Sequence, residues 1–321
     1  MTEDKHQDSI PERRFRLGTR RSPLAMAQAH EAQALLARAH DIDPAHIEIV
    51  AVTASGDRIQ DRALAEIGGK ALWTKELDAW LATGEIDFAV HSAKDVETIR
   101  PDAFTIGAIL PREDVRDVLV GAASIAALPQ GAVIGTSAPR RAAQLLHARP
   151  DCRVVTFRGN VATRLAKLAA GEADATFLAA AGLNRLGETG TGHPLDAEDW
   201  LPAPAQAAIM IECRADDEGT RALLTAVDHA PSRAQVLAER ALLAGLGGSC
   251  HSPIAVLTRC EGTDIVMRAA LYSPDGAEHV TGETRFPADD RRGPLDLAAD
   301  LLARAVPAIA AHFAGAPAPE Q

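Results

Sequence analysis

The sequence predicts an α/β fold: two layered units followed by a smaller α+β unit. Three observations predict it. Short apolar runs alternate with longer helical patterns through the first half. The middle reads strand–helix–strand–helix–strand, which implies parallel pairing through right-handed crossovers. The last part holds three strand-like runs and then one helical pattern.

Taken in order, Phe15-Arg16-Leu17 reads as a strand broken at Gly18. Ser22-Pro23 then opens a helix to about His40, with a serine N-cap before a first-turn proline. Ile47 to Thr53 is the second strand. Ala71 to Thr83 is a helix stopped by Gly84, and Phe88-Ala89-Val90 is the strand after it. Thr105 to Leu110 and Val118 to Gly121 are further strands, separated by the charged stretch Pro111 to Asp117. In the middle, Val133-Ile134 is a strand, Pro139 to Ala148 a helix, Arg153 to Phe157 a strand and Val161 to Ala170 a helix. Ala175 to Leu178 is another strand, with a helical pattern behind it. Gly187 to Pro204 is a loop rich in Gly, Pro and Asp, and Ile209 to Cys213 is a late strand whose partner sheet the pattern does not fix. Ser232 caps a helix through Leu246, and Gly247-Gly248-Ser249-Cys250 makes a tight turn. Strands near Ile254 to Thr258, Ile265 to Tyr272 and Glu278 to Thr284 precede a helix from Pro294. No internal repeat of about 20–50 residues is found.

Composition narrows the function. Hydrophobic residues make up 47% and aromatic residues 3%, so Ala and Leu fill most of the core. The 33 Lys+Arg against 44 Asp+Glu give a net charge of -11, which argues against general affinity for nucleic acid or anionic membrane. An anionic ligand would need basic residues gathered locally. No apolar stretch approaches the ~18 residues of a membrane helix. Residues 1–13 read as a disordered polar tail with no signal core, Ala314 to Gln321 as another, and the chain as cytoplasmic. Cys152, Cys213, Cys250 and Cys260 form no CxxC pair and no metal-ligand spacing, and the histidines are scattered, so neither a disulfide framework nor a metal site is expected.

Polar chemistry collects where ligands bind parallel α/β sheets, beyond strand carboxyl ends and near helix N-termini. Gly18-Thr19-Arg20-Arg21-Ser22 follows the first strand, and His91-Ser92-Ala93-Lys94-Asp95 follows Val90. Gly135-Thr136-Ser137-Ala138-Pro139-Arg140-Arg141 follows Ile134, and Arg158-Gly159-Asn160 follows Phe157, with Arg164 one turn on. An acidic protein with such strand ends predicts a cleft between two lobes for a ligand bearing several carboxylates, which forked Arg side chains suit. Surface salt bridges are the plainer explanation for any one arginine; four clusters together favour the cleft. Lys94-Asp95 sets a lone carboxylate among cations, where it repels an anion unless it stabilises a cation formed during reaction; a structural cap is the alternative. Gly56-Asp57 and Gly68-Gly69-Lys70 bracket a charged stretch that reads as a lid or as an exposed loop. Cys152, Cys213 and Cys260 read as small core hydrophobes. Cys250, behind Gly-Gly-Ser, reads as a nucleophile or attachment point.

At these residues the sequence resembles the porphobilinogen deaminase (hydroxymethylbilane synthase) family over nearly the whole chain. The blocks are Gly18 to Ala25, Gly68-Gly69-Lys70, His91 to Val96, Gly135-Thr136-Ser137, Arg140-Arg141, Arg158 to Val161, Thr163-Arg164-Leu165, Ala181-Gly182-Leu183 and Gly248-Ser249-Cys250. Their order, spacing and number carry the resemblance. It implies two lobes like type II periplasmic binding proteins, residues 1–110 with 208–226 and residues 114–202, and a small α+β domain over 230–321. It implies a cytoplasmic monomer that condenses four porphobilinogen molecules, each losing ammonia, into hydroxymethylbilane. The primer would be a dipyrromethane held by a thioether on Cys250, with no metal. Asp95 would hydrogen-bond pyrrole N–H groups and stabilise the azafulvenium-like cation. Arg20, Arg140, Arg141, Arg158, Arg164, Lys70 and Lys94 would bind acetate and propionate groups, and Ser22, Gln28, Thr136, Ser137 and Gln206 would assist. The sequence departs from the family pattern at Ala138, Ala93, Glu97, Trp73 and Pro204-Ala205-Gln206-Ala207-Ala208, where a serine, a methionine, a proline, a phenylalanine and a Gly-Gln-Gly turn are usual; backbone approach near Gln206 is the feature most exposed to change. The rival reading is a non-catalytic solute-binding protein of the same two-lobe architecture, which leaves Asp95 and Cys250 idle. An acyl or sulfur transferase using Cys250 would lack a neighbouring base.

Overall fold

A computed structural model describes residues 14–52 and 74–313. β1 (Phe15–Arg20) leads into α1 (Pro23–His40), where Ser22 accepts a hydrogen bond from the Ala25 amide and Pro23 occupies the first turn. β2 (Ile47–Val52) follows; α2 (Lys75–Thr83) ends on Gly84 in the left-handed region; then come β3 (Phe88–Ser92) and β4 (Phe104–Ile109). The chain crosses to β5 (Asp117–Val120), β6 (Val133–Gly135), α3 (Pro139–Ala148), β7 (Arg153–Val155), α4 (Val161–Ala169), β8 (Ala175–Ala179), α5 (Ala180–Leu186) and the two-residue β9 (His193–Pro194). It returns through β10 (Ile209–Arg214) and α6 (Glu218–Thr225). Last come α7 (Ala230–Gly245), β11 (Ile254–Glu261), β12 (Asp264–Tyr272), β13 (His279–Pro287), α8 (Gly293–Arg304) and α9 (Pro307–Ala310).

Two five-stranded sheets share one plan. The first has order β2-β1-β3-β10-β4 and the second β7-β6-β8-β5-β9. In each, two parallel pairs sit beside a strand that runs antiparallel: β10 against β3 and β4, and β5 against β8 and β9. The partner that sequence pattern leaves open for the late strand is therefore the first sheet. The third sheet is an antiparallel meander, β11-β12-β13, backed by α7 and α8 through Leu242, Leu246, Val256, Met267, Leu271, Leu297 and Leu301. This is the expected architecture of two α/β lobes and a small α+β unit.

Three expectations need correction. Ser232 is not the cap of α7. The helix starts at Ala230 with His229 as N-cap, and the buried Ser232 accepts from the Arg112 amide at 2.8 Å. Cys260 is exposed, because the last three residues of β11 run past the covered part of the sheet; Cys152 and Cys213 are buried as expected. Pro111 to Asp117 is not merely a charged separator, since Asp117 is the first residue of β5 and is fully buried.

The two crossings between the large sheets are tied together. Arg112 Nε donates to the Gln206 carbonyl at 2.9 Å, and its other nitrogens pair both oxygens of the buried Glu239 on α7. Glu239 also accepts from the Ala205 amide and from the Thr258 hydroxyl. One buried ion pair thus pins both crossings to the third unit.

Candidate active site

The local sequence dictates where each polar side chain points. β3 ends at Ser92 and a 3₁₀ turn over Ala93–Asp95 follows. Ala93 is buried beneath the turn, while Lys94 is half-buried and Asp95 faces solvent. Beyond it, Thr98 Oγ1 donates to the Gly248 carbonyl at 3.1 Å, and Arg240 on α7 donates to the carbonyls of Val96, Glu97 and Thr98. These bonds strap the Asp95 loop to the turn that carries Cys250.

That turn is set by backbone. A Cβ on Gly248 would lie 2.6 Å from Leu243 Cδ1, so a side chain there would collide with the end of α7. The Ser249 amide donates to Ser252 Oγ at 3.0 Å, and the Ser249 hydroxyl accepts from the His251 amide at 3.2 Å. Cys250 stands exposed at the tip. Desolvation, followed by the Asp95 charge, pushes its thiol up to about 11.

Asp95 is the point where three parts of the fold converge. Its charge acts on Cys250 of the third unit, on Lys94 of the first lobe and on Arg164 of the second. Arg164 sits in α4, whose N-cap Asn160 accepts from the Thr163 amide at 2.9 Å. Its Nε donates to the carbonyl of Gly159, which has a φ of 109°, at 3.0 Å. Desolvation, with the Arg141 and Arg158 charges, draws Arg164 down to about 10 against the opposing pull of Asp95. Lys94 is drawn to about 8, chiefly by desolvation and then by the Arg141 charge. A cavity beside Asp95 is lined by Arg20, Ser22, Gln28, Thr74, His91 and Ser92 among others. Gln28 and Ser92 exchange hydrogen bonds at 2.9 and 3.0 Å. Desolvation, then the Arg100 charge, lowers His91 to about 4, so the ring is neutral near pH 7.

Behind the cleft lies a buried polar network that sequence reading missed. Asp117 accepts from Arg140 at 2.7 Å, from Arg141 at 2.7 and 3.2 Å, from Trp200 Nε1 at 2.9 Å and from Gln206 Nε2 at 2.9 Å. Burial opposes ionisation of Asp117, but the two guanidinium groups and these hydrogen bonds outweigh it and hold the carboxyl well below the usual range. The buried carboxylate among cations is Asp117; Asp95 is exposed to the gap.

Three of the expected ligands, Arg140, Arg141 and Gln206, are engaged within the protein. Arg140 and Arg141 are each 5% exposed and spend their forks on Asp117, Leu201 O and Phe177 O. Gln206 is fully buried, its Nε2 given to Val115 O and Asp117 and its Oε1 accepting from Lys94 Nζ at 3.3 Å. It thereby holds Lys94 against the Asp117 network. The predicted Lys70 lies outside the described residues, as do Gly56, Asp57 and Trp73. Thr136 is buried and accepts from the Ala138 amide; Ser137 is half-buried beside it; Arg158 is buried three residues beyond the end of β7. Ala138 caps α3 with no side-chain hydrogen bond, as its lack of a hydroxyl requires. Also missed was His251, next to Cys250 in sequence, whose Nδ1 lies 3.4 Å from the sulfur. The expected absence of a base beside Cys250 is overturned.

Comparison with known proteins agrees over most of the chain. The model for "Porphobilinogen deaminase, dipyromethane cofactor binding domain" matches residues 15–222, and that for "Porphobilinogen deaminase, C-terminal domain" matches residues 234–303. The porphobilinogen deaminase of Sphingopyxis alaskensis is 57% identical over 95% of this chain and 98% of its own. That of Paracoccus denitrificans is 48% identical over 92% and 96%. A solved structure, the periplasmic aliphatic sulphonate binding protein SsuA from Escherichia coli, is 17% identical with a TM-score of 0.37 over 71% of this chain and 73% of its own.

Proposed function

Because the chain belongs to the porphobilinogen deaminase family, we propose that it works in the gap where Asp95, Arg164 and Cys250 converge. The enzyme is a transferase of porphyrin and heme biosynthesis that condenses four porphobilinogen molecules into hydroxymethylbilane on a dipyrromethane cofactor. The observation that carries the proposed site is the Asp95 charge acting together on Cys250, Lys94 and Arg164.

The residues present fit the cofactor. An open sulfur stands where the Asp95 charge reaches it, and Thr74 Oγ1, in the cavity beside Asp95, is buried without a partner among the described residues. When bound, the dipyrromethane supplies the free pyrrole carbon from which the chain grows. Cys250 holds it by a thioether. Lys94, Arg158 and Arg164 bind its acetate and propionate groups, with Thr136 and Ser137 beside them. Arg20, Ser22 and Gln28 take the incoming pyrrole from the cavity next to Asp95, and Lys70 is assigned the same task by resemblance. Arg140 and Arg141 contribute at one remove: the Arg141 charge lowers Lys94 and Arg164, and a bound anion opposes that shift.

Asp95 is the one exposed carboxylate assigned to this site. It accepts from pyrrole N–H groups and stabilises the cation left when ammonia departs. Removing a well-placed electrostatic group of this kind costs ~2.7–4 kcal/mol of transition-state stabilisation. Asp95→Asn should therefore keep its bound cofactor, read by intact mass, and lose about 10²–10³-fold in kcat. Turnover near that of the wild type would overturn the role. The chain is read as a cytoplasmic monomer: its acidic balance disfavours nucleic acid and anionic membrane, and one chain supplies every proposed group. No helix among the described residues is long and apolar enough to cross a membrane.

A further inference from the structure

The turn that presents Cys250 also presents a base. His251 Nδ1 is 3.4 Å from Cys250 Sγ, and the other ring nitrogen, Nε2, is buried without a partner among the described residues. Backbone bonds through Ser249 and Ser252 fix both neighbours in this arrangement. Burial pushes His251 below its ordinary value, so the ring is neutral at pH 7. In the tautomer that carries its proton on Nε2, Nδ1 is the acceptor facing the thiol. The sulfur has the opposite difficulty. With its thiol raised to about 11, only roughly one molecule in ten thousand carries the thiolate at pH 7. Attack by this sulfur needs its proton removed as the bond forms.

We propose that His251 is the general base of cofactor attachment, accepting the thiol proton as Cys250 Sγ attacks the methylene carbon of the first pyrrole. The inference rests on the reading that Cys250 is the attachment point. In porphobilinogen the bond between the aminomethyl carbon and nitrogen breaks, and its electron pair leaves with ammonia. A sulfur lone pair forms the new C–S bond. The S–H proton passes to His251 Nδ1 and from there to water, and ammonia takes up a proton to depart as ammonium. No oxidation state changes. Once the thioether exists the sulfur has no proton to give, so His251 acts in loading and not in chain growth.

The test uses full-length protein produced in cells that make no porphobilinogen. Porphobilinogen is then added, and mass gain on the peptide containing Cys250 is followed by mass spectrometry. In the wild type the rate should be nearly flat from pH 7 to 9, because His251 is already neutral. In His251→Gln it should fall ~10²-fold at pH 7 and climb about tenfold per pH unit as the thiolate takes over. His251→Ala should behave alike and recover rate with added imidazole, which a merely structural loss would not. Wild-type rate and pH profile in both variants would overturn the base while leaving the attachment point intact. Absence of mass gain at Cys250 in the wild type would overturn both.

Discussion

At the scale of single residues, position in a charged field decides role. Lys94 and Asp95 are neighbours, yet one is half-buried and cationic and the other open to the gap. With Lys94 drawn down to about 8 by desolvation and Arg141, binding a carboxylate must favour its protonated form and draw a proton from solution. The sign follows: with no cofactor in place, affinity for a pyrrole carboxylate at Lys94 is full below pH 8 and weakens above it, by up to about tenfold per pH unit. The Kd of cofactor-free Cys250→Ser protein for porphobilinogen, measured across pH 6.5–9.5, should show this rise. Adding Lys94→Arg should flatten it, since a guanidinium stays charged. Asp117 offers the complementary case. Asp117→Asn leaves Arg140 and Arg141 buried without their counter-charge and should cost ~3–5 kcal/mol in denaturant unfolding. Sequence could rank the arginines by position but could not foresee Asp117. A carboxylate at the end of a charged stretch reads as solvated until β5 carries it into the second sheet, opposite residues more than twenty positions away.

At the scale of elements, most helices and strands were legible. Capping and periodicity are local, so α1, α4 and the parallel units of the second sheet follow from residues close together in sequence. What was not legible is long-range: β10 pairs with β3 and β4 across an excursion through an entire lobe. The Pro204 to Ala208 crossing shows a tension between sequence and backbone. Ala205 has φ 57° and Ala207 φ 71°, so alanines hold the left-handed conformations that glycine adopts freely. The turn carries side chains at both positions, and Arg112 Nε reaches the Gln206 carbonyl between them. Replacing Ala207 by Gly should change unfolding free energy by less than about 1 kcal/mol, as relief of strain offsets added chain entropy and a lost methyl contact. Ala207→Val puts a β-branched residue at positive φ and should destabilise by ~1–3 kcal/mol. Equal stability of the Gly and Val variants would show that the crossing carries no such strain.

At the scale of the molecule, the chain is acidic at -11 while its cations face one another across a gap. Two lobes of the same strand plan supply Lys94 and Arg164, and the third unit brings Cys250 to them, strapped through Thr98 and Arg240. Sequence clusters revealed the cations at the strand ends. They could not reveal that the crossings are locked to the third unit by Arg112 and Glu239, because that pair is 127 residues apart. A sulfur held open within reach of the Asp95 charge, which also acts on Lys94 and Arg164, is the feature on which the functional reading turns. Intact mass spectrometry of the purified enzyme, with Cys250→Ser beside it, tests that reading most directly. The wild type should be heavier than its chain by two linked pyrrole units, and the serine variant should show its bare chain mass and no turnover. An active wild-type enzyme at bare chain mass, or an unchanged adduct in the serine variant, would contradict it.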